Sequence, residues 1–220
     1  MPADIPVIAI DGPSASGKGT VAQKVAACLG FHCLDSGALY RLVALAAIRS
    51  KLSWSDEAAL GELAKTLPVR FRDREIFLMD ELVTEDIRSE DCSAGASIVA
   101  ALSAVRTGLL ARQKAFRQAP GLVAEGRDMG SVVFSDAVLK VYLTASAEVR
   151  AERRLKQLKQ KGITAKLPIL LQDLRERDAR DSSRSVAPLK ATQEARWLDT
   201  TALEVDPAVN QILLWYQESR

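Results

Sequence analysis

Residues Gly12 to Thr20 read Gly-Pro-Ser-Ala-Ser-Gly-Lys-Gly-Thr and follow directly on the apolar run Val7-Ile8-Ala9-Ile10. A β-rich run, a glycine-rich turn, a lysine and a helix-compatible stretch from Val21 to Leu29 form a phosphate-binding loop in an α/β setting. Gly12 and Gly17 let the backbone bend so that successive N–H groups face phosphate oxygens. The helix that follows presents its positive end to the same anion. Lys18 adds a full charge near the β- and γ-phosphates, and Thr20 offers a hydroxyl to a phosphate oxygen or to a magnesium shell. Gly12, Pro13, Ser14, Ala15, Ser16, Gly17, Lys18, Gly19 and Thr20 are therefore the candidate nucleotide-binding residues.

A generic ATPase or GTPase loop carries Ser or Thr directly after the lysine. Here Gly19 stands in that place and the hydroxyl is displaced by one, a variant that resembles the loop of nucleoside monophosphate kinases. A guanine-specific switch calls for Asn-Lys-x-Asp, and the one asparagine of the chain, Asn210, is followed by glutamine.

At 220 residues and 48% hydrophobic content the chain can bury the core of one domain, and 5% aromatics makes that core aliphatic. With neither a long apolar run nor a basic-then-apolar leader, no membrane span and no signal peptide are expected, and the cytoplasm is the expected compartment. Cys28, Cys33 and Cys92 with the single His32 suit neither a disulfide scaffold nor a zinc set, so no metal site is expected. The cysteines read as small buried hydrophobes. From Arg150 to Arg184 eleven Lys or Arg stand against five Asp or Glu. For Lys156, Lys159 and Lys161 a solvated helical face accounts for the excess. No aromatic residues interleave with it, so no nucleic-acid partner is expected.

Five short apolar runs read as strands: Ile5–Ile10, Phe31–Leu34, Leu122–Ala124, Val138–Leu143 and Arg196–Leu198. They are continuous rather than alternating, which suits a parallel sheet buried on both faces. Helical periodicity covers Gly19–Leu29, Ala38–Arg49, Asp56–Leu67, roughly Ser97–Gln118, Ala147–Lys161, Pro168–Arg184 and Pro207–Gln217. The expected fold is a three-layer α/β sandwich around a five-stranded parallel sheet. Val69 to Ile87 alternates charge with β-favouring residues and reads as a small β insertion, a flap. In such folds ligands lie beyond the carboxyl ends of the strands. The phosphate loop, Asp35-Ser36 and Arg127-Asp128 all follow strands and are expected to converge there.

Phosphate loops serve switches, pumps and kinases, so the acceptor side decides. Leu34-Asp35-Ser36-Gly37 ends the second strand and leads into a helix that carries Arg41. Gly126-Arg127-Asp128-Met129-Gly130 ends the third strand. Arg177, Asp181 and Arg184 fall at i, i+4 and i+7 on one helical face, where like charges repel unless an anion lies between them. Arginines gathered around an isolated lysine suit phosphoryl transfer, because guanidinium forks follow the charge of the transferred group. No base is conspicuous, and the histidine opens a strand. An ionised phosphate oxygen needs no base, so a phosphate acceptor is favoured over a hydroxyl, although Asp35 or Asp128 could serve a hydroxyl. Asp128 by itself fits an ion-pair partner as well as a ligand.

From about Val7 to the last helix the sequence resembles bacterial-type cytidylate kinases, in the strings GPSASGKGT, LDSGALYR, SIVAALSAVR (Ser97 to Arg106), EGRDMGSVVF and RERDARDSSRSVAPL. The resemblance implies that Arg41, Arg127 and Arg177, with Ser36 nearby, hold the monophosphate. Ser97, Arg106 and Asp128 read the cytosine, Asp181 holds ribose hydroxyls and Arg184 lies near the phosphates. It implies ATP with magnesium carried by the nucleotide, CMP or dCMP as acceptor, and a monomer with no nucleic-acid or membrane partner. Lys18, Arg127, Arg177 and Arg184 are then the catalytic set, and Arg153 or Arg154 adds charge from a basic lid. One kinase domain, 1–220, is expected, with a nucleoside-monophosphate-binding insertion at about 65–95 and a short lid at about 152–168. Kinases for UMP or for a sugar-like hydroxyl compound are the rival enzymes. The flap, with Arg-Asp-Arg-Glu at residues 72–75, is shorter than the family pattern. Gly108 sits inside the expected long helix, at a cost of roughly 1 kcal/mol relative to Ala.

Overall fold

Val7, Ile8, Ala9 and Ile10 are all without exposed surface, so the strand they open, β1 (Val7–Asp11), is covered on both faces. The computed structural model describes residues 5–72 and 75–219. The chain divides into two compact units, residues up to Leu34 together with Phe116 onward, and Asp35–Ala115.

The first unit holds a five-stranded parallel sheet of β1, β2 (His32–Asp35), β6 (Leu122–Gly126), β7 (Leu139–Thr144) and β8 (Arg196–Asp199), in the order β2-β6-β1-β7-β8. Ala9 lies beside Ala124 of β6 and Lys140 of β7, which puts the ends of β1 and β6 side by side, Asp11 against Gly126. Three strands begin one or two residues later than the sequence pattern placed them, and the strands at Leu122 and Arg196 begin where expected. Helices α1 (Lys18–Leu29) and α8 (Val205–Glu218) pack Val21, Val25, Val209 and Ile212 against Ile8, Val123 and Val141. Helices α6 (Ala147–Gln160) and α7 (Leu167–Ser183) have a small core of their own, Ala151, Leu158, Leu170 and Leu174. Ser146 Oγ caps α6 by accepting from Val149 N, and Pro168 sits in the first turn of α7, where its missing N–H costs nothing.

The cysteine expectation fails for Cys28, which is exposed, while Cys33 is half-buried and Cys92 buried. The buried stripe of α1 is Val21, Ala22, Val25 and Ala26, and position 28 falls at its edge, in the last turn of the helix, where the side chain meets solvent.

In the second unit α2 (Ser36–Arg49) packs on α4 (Glu90–Val99) and α3 (Glu57–Thr66) on α5 (Ser103–Ala115). The starts of α2, α3 and α4 are capped by Asp35, Asp56 and Ser89, each accepting a backbone N–H three residues on. The insertion is a three-stranded antiparallel sheet of β3 (Val69–Arg72), β4 (Glu75–Leu78) and β5 (Glu81–Leu82). Asp73 and Arg74, at the centre of the Arg-Asp-Arg-Glu stretch, lie outside the described residues.

The helix expected from Ser97 to Gln118 is two helices, bent by 102° at residues 100–102. The break is held by side chains: Glu57 Oε1 accepts from Ala104 N in the first turn of α5, and Arg106 Nη1 donates to Ala100 O at the end of α4. Gly108 marks no break. A Cβ there would meet Gly61 O at 2.8 Å and Lys65 N at 3.0 Å, so the glycine lets α3 and α5 cross closely. Among the described residues no single helix is long and apolar enough to cross a membrane.

Candidate active site

Asp11 ends β1, and the phosphate loop begins there. A Cβ on Gly12 would lie 2.0 Å from Leu143 O, so only glycine passes this close to β7. Ala15 and Gly17 take left-handed conformations, with φ of 58° and 93°, and this alternation turns backbone N–H groups to one side. Ser16 Oγ is buried and has no hydrogen-bond partner among the described residues, an orphan donor that a phosphate oxygen would satisfy. Lys18 is 8% exposed; its Nζ donates to Pro13 O at 3.2 Å and lies 3.7 Å from Glu125 Oε2. A Cβ at position 19 would come within 3.2 Å of Glu125 Oε1, a tight contact with the end of a side chain. Thr20 is exposed at the first turn of α1.

Beyond β6, Arg127 joins the loop to α7. Its Nη2 donates to Ser14 Oγ at 2.7 Å and its Nε to Asp181 Oδ2 at 2.8 Å. Burial works against the Arg127 charge, but Asp181 outweighs it and holds the guanidinium more firmly protonated than usual. Burial likewise would raise Asp181, yet Arg127, then Arg177 and Arg184, hold its carboxyl below the usual range. The three arginines expected on the acceptor side of this unit thus share one aspartate. Arg184 Nε also donates to Ala187 O at 2.6 Å.

Asp128 is 2% exposed, and its carbonyl accepts from Val132 N and Val133 N in the helical turn Met129–Val133. Asp11 accepts from Met129 N and Gly130 N, each at 2.8 Å. Burial pushes its carboxyl up to about 6, the two N–H groups pull it down, and Asp128 adds to the rise.

In the second unit Asp35 Oδ2 pairs with Arg41 Nη2 at 2.6 Å while Oδ1 caps α2. Ser36 is buried. Ser97 Oγ is buried with no hydrogen-bond partner among the described residues, and the Arg106 guanidinium carbon lies 5.9 Å from the centre of the Tyr40 ring.

Sequence reading missed Arg150, Asp178 and Thr200 of the first unit and named Arg153 only as a cation of the lid. Arg150 and Arg153 reach the phosphate loop from α6, donating to Ser14 O at 3.1 Å and Ser16 O at 3.2 Å. Thr200 Oγ1 also donates to Ser16 O, and Asp178 pairs with Arg150 at 2.7 Å. In the sequence Arg150 and Arg153 are two cations in a basic helix; what separates them from the solvated lysines is their bonding to the Ser14 and Ser16 carbonyls, which come from a distant segment. An open hollow between α6 and the β8–α8 connection is lined by Val149, Glu152, Arg153, Lys156 and residues 201–204.

A parallel sheet whose first strand runs into a Gly-Lys-Gly-Thr loop, rimmed by arginines that share an aspartate, defines a P-loop protein of the kinase class. The sequence matches the profile of the cytidylate kinase family over residues 8–218, and the chain belongs to that family. It is 57% identical over 216 residues to a cytidylate kinase of Chromobacterium violaceum, covering 98% of this chain and 97% of that one. It is 60% identical over 212 residues to a cytidylate kinase of Burkholderia cenocepacia, covering 96% and 93%. Among solved structures, an uncharacterized protein from Eubacterium ventriosum shares the fold, with a TM-score of 0.53 at 13% identity over 96% of this chain and 98% of that one.

Proposed function

We propose that the chain moves the γ-phosphoryl group of ATP to CMP or dCMP, giving ADP and CDP or dCDP. Family membership over nearly the whole chain supports this reading. The observation that carries it is the phosphate loop whose Ser14 is held by Arg127, itself paired with Asp181.

Residues Gly12 to Thr20 bind the triphosphate of ATP, with Lys18 at its β- and γ-groups, and the hollow beside Arg153 receives the adenine. Magnesium, carried in by the nucleotide, offsets phosphate charge, and Thr20 offers its hydroxyl there. Arg41, Arg127 and Arg177, with Asp35 and Ser36, hold the acceptor phosphate. Ser97, Arg106 and Asp128 read cytosine: the carboxylate accepts from the exocyclic amino group, while serine and arginine donate to the carbonyl and ring nitrogen. Asp181 takes the ribose hydroxyls, and Arg184 neutralises charge as the group moves. The acceptor oxygen is ionised at neutral pH and attacks without a base. The β3–β5 sheet belongs to an insertion of about 65–95 and the α6–α7 connection to a lid of about 152–168, both excluding water. The protein works as a monomer in the cytoplasm on small nucleotides, without nucleic-acid or membrane partners.

ADP release, measured with ATP and magnesium against CMP, dCMP, UMP, AMP, GMP and no acceptor, tests the reading. Fast turnover with CMP and dCMP, slow with UMP and negligible elsewhere is expected. ADP release without acceptor, or with none of the five, refutes it.

A further inference from the structure

Arg150 has no part in the roles assigned above, yet it is 5% exposed and directs all of its donor nitrogens inward. Nε donates to Ala145 O at 2.9 Å, Nη1 donates to Ser14 O at 3.1 Å and Nη2 pairs with Asp178 Oδ2 at 2.7 Å. The Ser14 carbonyl belongs to the peptide that enters Ala15, whose left-handed φ of 58° is a conformation that persists only where the surroundings impose it. A carbonyl swung toward the loop interior would replace inward N–H groups with an oxygen facing the phosphates. Arg150 fixes that carbonyl by a charge-assisted bond, and Arg153, three residues on, fixes Ser16 O in the same way. Ala15, between the two held carbonyls, packs against the small core of Ala151, Leu158, Leu170 and Leu174.

We infer that Arg150, anchored by Asp178, is a positioning residue of the phosphate loop, which it holds ready for the nucleotide triphosphate. The shape of the loop then follows from the packing of α6 on α7, the helix that also carries Arg177 and Asp181. A buried ion pair kept for stability alone can be replaced by apolar residues; one whose fork also seizes a loop carbonyl cannot be replaced without moving that loop. The inference rests on the loop being the ATP site.

The test is titration calorimetry of ATP and of CMP separately on the whole protein, with thermal unfolding alongside. Arg150→Lys keeps the charge but lacks the fork, and Arg150→Gln lacks both. Each is expected to weaken ATP binding about tenfold or more while CMP binding stays within about twofold. Asp178→Asn keeps an acceptor for Nη2 and removes the anchoring charge; it is expected to weaken ATP selectively, by about threefold. Unchanged ATP affinity in Arg150→Lys shows that charge alone matters and overturns the inference. So does an equal loss for ATP and CMP, or a lowered Tm with ATP affinity intact. Should the Arg150 variants not fold, unchanged ATP affinity in Asp178→Asn decides against it. ATP binding is read without an acceptor, so failure of the wild-type protein to turn over CMP sinks the kinase reading and leaves this test standing.

Discussion

Arg127 and Asp181 meet in a 2.8 Å ion pair with side chains 16% and 6% exposed, and the same guanidinium donates to Ser14 Oγ in the phosphate loop. The residue proposed for the acceptor phosphate and the residue proposed for the ribose therefore satisfy each other. Neither charge stands alone in a site that has given up most of its water.

Removing the carboxylate leaves Arg127, Arg177 and Arg184 without their shared counter-charge. Asp181→Ala is expected to destabilise the fold by about 3–5 kcal/mol, the usual cost of breaking a buried pair from one side. The Asp181 carboxyl is held below its ordinary value, so its contribution is present above pH 3.8 and fades as pH falls through the lower folded value. Urea unfolding should thus show the largest gap between wild type and variant at neutral pH and a shrinking gap below pH 3.8. A gap that is constant with pH counts against the ion pair as its source.

Asp128→Ala separates base reading from structural support. Loss of the buried acceptor proposed for the cytosine amino group should raise KM for CMP by about 10- to 100-fold and change KM for ATP little. Initial rates with each substrate varied in turn decide it, and an equal rise in both constants assigns Asp128 to the fold.

The loop and the sheet were legible because they rest on local sequence: an apolar run buried on both faces, then glycines and lysine at fixed spacing. Helix starts were legible to within two residues at Asp56 and Ser146, where a capping side chain announces them. The break at residues 100–102 was not. It is stabilised by Glu57, which lies 47 residues away from the N–H it accepts, and no window along the chain contains both. Arg150 was hidden for a related reason: its neighbours Ser14 and Asp178 come from other segments. The spacing placed Arg177 and Asp181 on one face of α7, but Arg184, expected on that face, is the extended residue that ends the helix, and that Arg127 joins them required the third dimension.

Asp11 gives a pH dependence of opposite sign. Its carboxyl is raised from 3.8 to about 6, chiefly by burial, so the folded state keeps a proton that the unfolded chain has released. Such a group favours the fold most below pH 3.8 and loses that contribution as pH rises to about 6, by up to about 3 kcal/mol. Asp11→Asn cannot titrate. The stability of wild type relative to this variant should fall between pH 4 and 6 and stay level above, as read by denaturant midpoints in a pH series. A flat difference over that range places the proton elsewhere.

Gly108→Ala sets propensity against packing. In an exposed helix the change would stabilise by roughly 1 kcal/mol, because alanine loses less backbone entropy. In α5 the added methyl would meet Gly61 O at 2.8 Å and Lys65 N at 3.0 Å, both backbone atoms of α3 that cannot swing aside. The two helices must separate, and overpacking of a well-filled contact costs about 1–3 kcal/mol. The expected net effect is destabilisation by about 1 kcal/mol, read from urea midpoints. The partner position sharpens the test: a Cβ on Gly61 would lie 2.6 Å from Ala104 Cβ in the same crossing. The double variant Gly61→Ala, Gly108→Ala should therefore cost less than the two single costs combined, since one separation of α3 and α5 relieves both clashes. Strict additivity means that the two glycines act independently, and a stabilised Gly108→Ala means that the crossing is not tight.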